Sequence, residues 1–426
     1  MKTLKLGSQG PDVELLQLAL SRGGWYREKI DGRFGLATQN AVRRFQAAYE
    51  LRPDGIAGPN TWNALDPFLT GHFSVEVRRG DTFYRLAQRY GTTPEAIAAA
   101  NPEAIPERLE IGSRLIIPYG FDLVPTNVRY TSTLVDYILD GLAVRYPFAA
   151  PQKYGNAVTG TPLRLIGFGS GEREVLINAA HHANEWITAP LVLKFAETLL
   201  KAYIRGGTVA GRSAKSLLDR VKLYIAPLVN PDGVDLVNGV FGQGSPELNL
   251  ASSIAANYRA VPFPEGWKAN IEGTDLNLNY PAGWEEAKRI KYAQGWTSPA
   301  PRDFVGMGPL SAPESRALYD FSLEHEFALS ISYHTQGEVI FWKYQELEPP
   351  RGLEIGEAMA EASGYSLETV PEESGNAGYK DWFILNFDRP GYTVEAGRGA
   401  NPLPLSDFSE LFEANLPLMV TALELA

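Results

Sequence analysis

From residue 126 to the C-terminus, short apolar runs alternate with amphipathic stretches. Residues 175–180 read as a buried strand, 190–203 as a helix, and 221–229 and 328–333 as further strands. That rhythm over roughly 300 residues predicts a single α/β domain with a mixed central sheet flanked by helices. Sheets of this kind bind ligands just past the carboxyl ends of their strands. The residues at the end of each apolar run are therefore the first candidates for chemistry.

Those residues are rich in metal donors. His182 and Glu185 come directly after the run 175–180, ahead of a helix expected to begin near Thr188-Ala189-Pro190. The chain has no cysteine and five histidines, so imidazole and carboxylate are the donors left for a zinc ion. His334 comes after the run 329–333 and precedes Gly337. Two histidines and one glutamate leave a fourth position open for water, the pattern of a catalytic zinc site, here one Zn2+ per catalytic domain. Thr393-Val394-Glu395 places a further carboxylate at the end of a late strand, where Glu395 is expected to act as general base. His181 adjoins the pair, but the spacing to Glu185 favours His182 as the ligand. His72 and His325 read as ordinary polar residues, Arg398 as either a substrate contact or a partner in a structural ion pair, and Glu285-Glu286 and Glu372-Glu373 as solvated pairs.

The N-terminal part is organised differently. Asp31-Gly32-Arg33-Phe34-Gly35-Leu36-Ala37-Thr38 recurs as Asp54-Gly55-Ile56-Ala57-Gly58-Pro59-Asn60-Thr61. Each copy reads as a glycine-containing turn leading into a helix, with the threonine as N-cap. A helix over 12–21 precedes them and completes a small three-helix domain over residues 1–70. Residues 72–120 read strand, helix, helix, strand. Gly80-Asp81-Thr82 opens the first helix, Thr93-Pro94 the second, and Leu115-Ile116-Ile117-Pro118 closes the unit.

Charge narrows the partners. The net charge is -11; residues 1–125 carry 15 basic and 14 acidic side chains and the remainder 24 and 36. An acidic field of this kind repels phosphates, so nucleic acid is not an expected partner. No apolar run approaches the ~20 residues of a membrane span. The segment 1–8 lacks the apolar core of a signal peptide. This is expected either of export by another route or of a chain that starts after a removed signal.

The N-terminal repeat resembles the peptidoglycan-binding helical domain of bacterial wall enzymes, and residues 72–120 resemble the βααβ LysM domain. Those resemblances imply peptidoglycan glycan strands, through N-acetylglucosamine, as a partner. Residues 126–426 resemble the zinc carboxypeptidase family: His182-Ala-Asn-Glu185, the distant His334 and the late Glu395 stand in that family's order. Asn230-Pro231-Asp232-Gly233, Asp275-Leu276-Asn277-Leu278-Asn279 and Asp381-Trp382 match further landmarks. The resemblance implies that Asp275 orients the His182 ring, and that Lys268 stands where the family has an arginine for the oxyanion. Asn277 would contact substrate or cap a turn, and Lys380 would contact substrate. One departure stands out. The family reads a free C-terminal carboxylate with the arginine of an Asn-Arg pair, and here that pair is Asn277-Leu278. A tyrosine common in the family is replaced by Glu373. These changes resemble the subgroup that hydrolyses the γ-D-glutamyl–meso-diaminopimelate bond of peptidoglycan stem peptides. Alternatives are an ordinary metallocarboxypeptidase that uses another cation, or a non-catalytic wall-binding adaptor. The expected location is the cell wall or the interior of a sporulating cell.

Overall fold

The computed structural model describes residues 1–371 and 374–426; Glu372 and Glu373 lie outside the described residues. Contacts divide the chain into two compact units. One holds residues 1–129 and 133–150, the other residues 130–132 and 151–426.

The first unit begins with helices Pro11–Arg22, Leu36–Ala48 and Pro59–Thr70. Two buried glutamines explain the sequence repeat. Gln17 Oε1 accepts the Asp31 and Gly32 amides, and Gln46 Oε1 accepts the Gly55 amide. Their Nε2 groups donate to Asp31 and Asp54, and to Thr38 and Thr61 at 3.1 Å each. The two threonines are therefore not N-caps. Gly35 and Gly58 hold the N-cap positions, and each threonine lies inside its helix, buried against the glutamine. A buried side-chain amide needs acceptors for its hydrogens, and the threonine hydroxyl supplies one of them.

The βααβ segment takes the expected form. Strands β1 (His72–Glu76) and β2 (Arg114–Pro118) pair antiparallel around helices Phe83–Tyr90 and Pro94–Ala100. Thr82 and Thr93 cap the two helices by accepting the Arg85 and Ala96 amides, and Gly91 ends the first in the left-handed region. Asn101 bonds Ile97 and both backbone groups of Ile116, which ties the second helix to β2. Helix Ser132–Arg145 groups by its contacts with this unit except for its first residue. Its Arg145 donates to the Gly71 and Phe121 carbonyls.

The second unit is built on one mixed sheet. Its strands are β3 (Ala150–Asn156), β4 (Pro162–Phe168) and β5 (Arg173–Ala179). After a small hairpin of β6 (Thr208–Val209) and β7 (Arg212–Ser213) come β8 (Val221–Ala226), β9 (Phe327–His334), β10 (Val339–Phe341), β11 (Ser366–Glu368) and β12 (Gly391–Glu395). The order across the sheet is β11-β10-β12-β9-β5-β8-β4-β3. Strands β12, β9, β5 and β8 run parallel, and β4 and β10 run against their neighbours β8 and β12. Parallel strands covered on both faces are apolar throughout. Accordingly β9 and β5 are buried along nearly their whole length. Trp382 and Phe383, on helix Tyr379–Phe387, belong to the main core cluster with Leu176, Tyr224 and Leu318. Among the described residues, no helix is long and apolar enough to cross a membrane.

Register decides where the chemistry lies. Ala179 pairs with Tyr333 and Glu395 with His334. The three strands β5, β9 and β12 run the same way and end level with one another. The loop after β5 and the last residues of β9 and β12 therefore meet at one edge of the sheet.

Candidate metal centre

Past β5 the chain turns sharply. Ala180 adopts φ 56, a left-handed conformation that costs a non-glycine residue roughly 1 kcal/mol. It is held there by its amide to Thr188 Oγ1 and by its carbonyl to the Asn230 amide. The turn carries His182 into a short 3-10 segment, Ala183–Glu185, ahead of helix Thr188–Ile204. Asn230 stitches this loop to the next: its buried side-chain amide donates to the carbonyls of His181 and Ala269. Gly233 is required beside it, since a Cβ there would lie 2.6 Å from the Ala269 carbonyl oxygen.

His182, Glu185 and His334 converge, with one donor atom of each within 4.8 Å of the others. His182 Nδ1 lies 2.9 Å from Glu185 Oε1, His334 Nδ1 lies 3.0 Å from Glu185 Oε2, and the two Nδ1 atoms are 3.2 Å apart. Ligand atoms around a tetrahedral zinc with bonds of about 2.0–2.1 Å are spaced roughly 3.3 Å apart. Two imidazole nitrogens aimed at each other and at one carboxylate need a cation or protons between them. The donor set and its spacing thus fit a zinc ion. His181 turns away: its Nε2 pairs with the Tyr280 hydroxyl at 3.1 Å, and its ring stacks near His334.

The surroundings are polar and ordered. His182 Nε2 faces Asp275 Oδ1 at 3.2 Å, while Asp275 Oδ2 accepts the Asp303 amide at 3.0 Å. Burial opposes charge on Asp275, but His182, Lys268 and the Asp303 amide hold its carboxyl well below the ordinary range. Burial also opposes charge on Glu185, which His182 and Lys268 override in the same direction. For the metal-free His182 ring, burial disfavours the proton, but Glu185 and Asp275 outweigh burial and Lys268 and raise it to about 9. Burial lifts the Glu395 carboxyl above the usual range, against the pull of His334 and with the push of Glu185.

Lys268 Nζ lies 3.2 Å from Glu185 Oε1, beside the donor cluster. Asn277 Oδ1 accepts the Tyr379 amide at 3.0 Å and so ties its loop to helix Tyr379–Phe387. Lys380 Nζ is engaged by Asp381 at 2.5 Å and by the Lys343 carbonyl at 2.7 Å. Leu278 is buried in an apolar cluster with Trp284, Ala287, Val305 and Ala377. His182, Lys268, Asp275, Asn277, Leu278, Lys380 and Glu395 all line one cleft of ≈ 780 Å³. His325 pairs with Glu174 and Arg398 with Glu338, and neither belongs to the donor cluster.

Two residues of the cleft carry no signal in the sequence. Asn401 donates to the Thr335 carbonyl at 2.8 Å and to Glu185 at 3.3 Å, which fixes the ligand-bearing loop. Arg302 enters from the loop after Pro301. Neither comes after an apolar run or within a recognisable motif.

Comparison with known proteins agrees with this geometry. The zinc carboxypeptidase family matches residues 135–415, about two thirds of the chain. The chain belongs to the zinc carboxypeptidase family. Zinc is this family's metal, and the cluster of His182, Glu185 and His334 supplies donors for it. Residues 9–65 match a peptidoglycan binding domain and residues 75–118 a LysM domain. Gamma-D-glutamyl-L-diamino acid endopeptidase 1 of Lysinibacillus sphaericus is 38% identical over 303 residues, 71% of this chain and 74% of that protein. An uncharacterized protein of Bacillus subtilis is 36% identical over 299 residues, 69% and 77% of the two chains. Carboxypeptidase A from Helicoverpa armigera shares the fold, with a TM-score of 0.54 at 19% identity over 80% of each chain.

Proposed function

We propose that this zinc carboxypeptidase-family protein is a peptidoglycan hydrolase that cleaves the γ-D-glutamyl–meso-diaminopimelate amide of stem peptides. The observation that carries the reading is Leu278. The family's terminal-carboxylate arginine is absent, and the leucine in its place is packed among apolar side chains rather than offered to a charged group. A substrate whose chain continues past the cut, or whose charge lies elsewhere, suits such a site. The likeness to an endopeptidase of γ-D-glutamyl bonds over 74% of its length supports the same reading. The matches to peptidoglycan-binding and LysM domains support a glycan strand as the tethering partner, with N-acetylglucosamine as the unit bound. Tethering raises the effective concentration of stem peptide at the cleft without new catalytic contacts.

His182, Glu185 and His334 would hold one zinc ion. When bound, that ion lowers the pKa of water and polarises the scissile carbonyl. Asp275 accepts the Nε2–H of His182 and so keeps Nδ1 free as the ligand atom. Glu395, with its carboxyl raised by burial, takes a proton from the attacking water and returns it to the leaving amine nitrogen. Lys268 offers a point charge to the developing oxyanion, without the fork an arginine would give. Lys380 lines the cleft and pairs with Asp381, and we assign it to a substrate carboxylate that would share this charge pair. Asn277 lies beside them with its oxygen already committed to Tyr379.

Mass spectrometry of digests of defined stem peptides tests the reading, with Glu395→Gln as control. Scission between D-glutamate and diaminopimelate is expected, equally for tetrapeptides whose C-terminal D-alanine is a free acid or an amide. A strict requirement for the free acid would instead make the protein an ordinary carboxypeptidase.

A further inference from the structure

Among the described residues, four lysine and arginine side chains line the cleft: Lys268, Lys291, Arg302 and Lys380. Three of them are already held. Lys268 Nζ is 3.2 Å from Glu185, Lys291 Nζ is 2.7 Å from Asp303, and Lys380 Nζ is 2.5 Å from Asp381. Their side chains are 19%, 11% and 4% exposed. Arg302 is different. Its Nε is 2.5 Å from Asp303 Oδ2, but among the described residues neither terminal amino group has a hydrogen-bond partner. Its side chain is 42% exposed, open to the cleft and to solvent.

The backbone that presents Arg302 is fixed from both sides. The Pro301 carbonyl accepts the amides of Lys268 and Ala269 at 2.8 and 3.0 Å. On the other side, the Asp303 amide donates to Asp275 Oδ2, and the Asp275 amide donates to the Phe304 carbonyl at 2.8 Å. Arg302 is thus clamped between the segments that carry Lys268 and Asp275. Asp303 is shared by Lys291 and Arg302, so the trio keeps one net positive charge. A planar guanidinium held through Nε, with its outer nitrogens free, presents the geometry that takes a carboxylate in a fork.

We propose that Arg302 is a specificity-determining residue that binds a carboxylate of the substrate, replacing the anchor that Leu278 cannot provide. This role rests on the reading of the protein as a γ-D-glutamyl peptidase. In a γ-D-glutamyl–diaminopimelate peptide the carboxylate is either the α-carboxylate of the D-glutamate or one on the diaminopimelate. The chemistry recognised is the same, and the test separates the two.

Three soluble stem peptides are compared: unmodified, amidated at the D-glutamate α-carboxylate, and amidated at the diaminopimelate carboxylates. For the wild-type zinc-loaded protein, one of the two amidations is expected to lower kcat/KM by about 10- to 100-fold, the range of a lost charge-assisted hydrogen-bond pair. Arg302→Gln is expected to lose a similar factor on the unmodified peptide, and its discrimination against that amidated peptide should fall to within about twofold. Arg302→Lys keeps the charge without the fork and should fall between. Equilibrium binding of the unmodified peptide to Glu395→Gln, with and without Arg302→Gln, should weaken by the same factor without turnover. Wild-type indifference to both amidations, or undiminished discrimination in Arg302→Gln, overturns the proposal while the γ-D-glutamyl reading stands. Cleavage at a different bond overturns that reading, and the role of Arg302 falls with it.

Discussion

Asp275 makes the clearest quantitative case for how the metal centre is held. Its Oδ1 faces His182 Nε2 at 3.2 Å and its Oδ2 accepts the Asp303 amide at 3.0 Å. When His182 Nδ1 is a ligand, Nε2 carries the hydrogen and needs an acceptor. Asp275→Asn keeps shape and volume but has only one oxygen. If that oxygen serves His182, the new amide group points at the Asp303 N–H, donor against donor. If it serves Asp303, the amide points at the His182 N–H. Either arrangement leaves a partly buried donor facing another donor, at a cost of about 1–3 kcal/mol. Histidine orientation is part of the bound state, so the loss should appear as zinc affinity lowered roughly 10- to 100-fold. Competition against a chromophoric chelator at fixed pH measures it directly, and circular dichroism checks that the fold is retained. Zinc affinity within twofold of wild type would refute the argument that Asp275 holds the ring.

Named contacts give further expected outcomes. The metal-free His182 ring is raised to about 9, and zinc must displace its proton; zinc affinity should therefore climb with pH from 7 to 9, by close to tenfold per unit if one proton leaves, and a flat titration would contradict this. The sign for stability is opposite: the raised value stabilises the apo-protein fully below the ordinary histidine range, and that contribution fades as pH rises through about 9, visible as a falling melting temperature in chelator. Gln17→Leu strands the buried Gly32 amide and removes the acceptor of the more exposed Asp31 amide, so the N-terminal unit should lose about 1–4 kcal/mol in denaturant unfolding; unchanged stability would show that the repeat is not held by its glutamines.

The legible part of this protein was local. Helix starts at Thr82 and Thr93-Pro94 and the stop at Gly91 declare themselves within a few residues, whereas Asn230-Pro231-Asp232-Gly233, which resembles a family turn, opens helix Pro231–Val237 with Asn230 as its cap. The apolar runs that became β5, β8 and β9 are equally plain, because strands buried on both faces must be apolar. Where reading by motif erred, the deciding contact came from elsewhere. Thr38 and Thr61 have the sequence context of N-caps, but glutamines 21 and 15 residues away along the chain claim them.

The amino-acid sequence by itself determined which donors exist, the absence of thiolates and the alternation that builds a sheet. Only the tertiary structure decided that they meet. His182 and His334 stand 152 positions apart, and they come together because β5, β9 and β12 run parallel and in register to a common edge. The same applies to charge. Lys268, Lys291, Arg302 and Lys380 are indistinguishable as isolated cations, and their neighbours in space leave just Arg302 with an open fork among the described residues. Composition counts charges, but packing determines which of them are already neutralised.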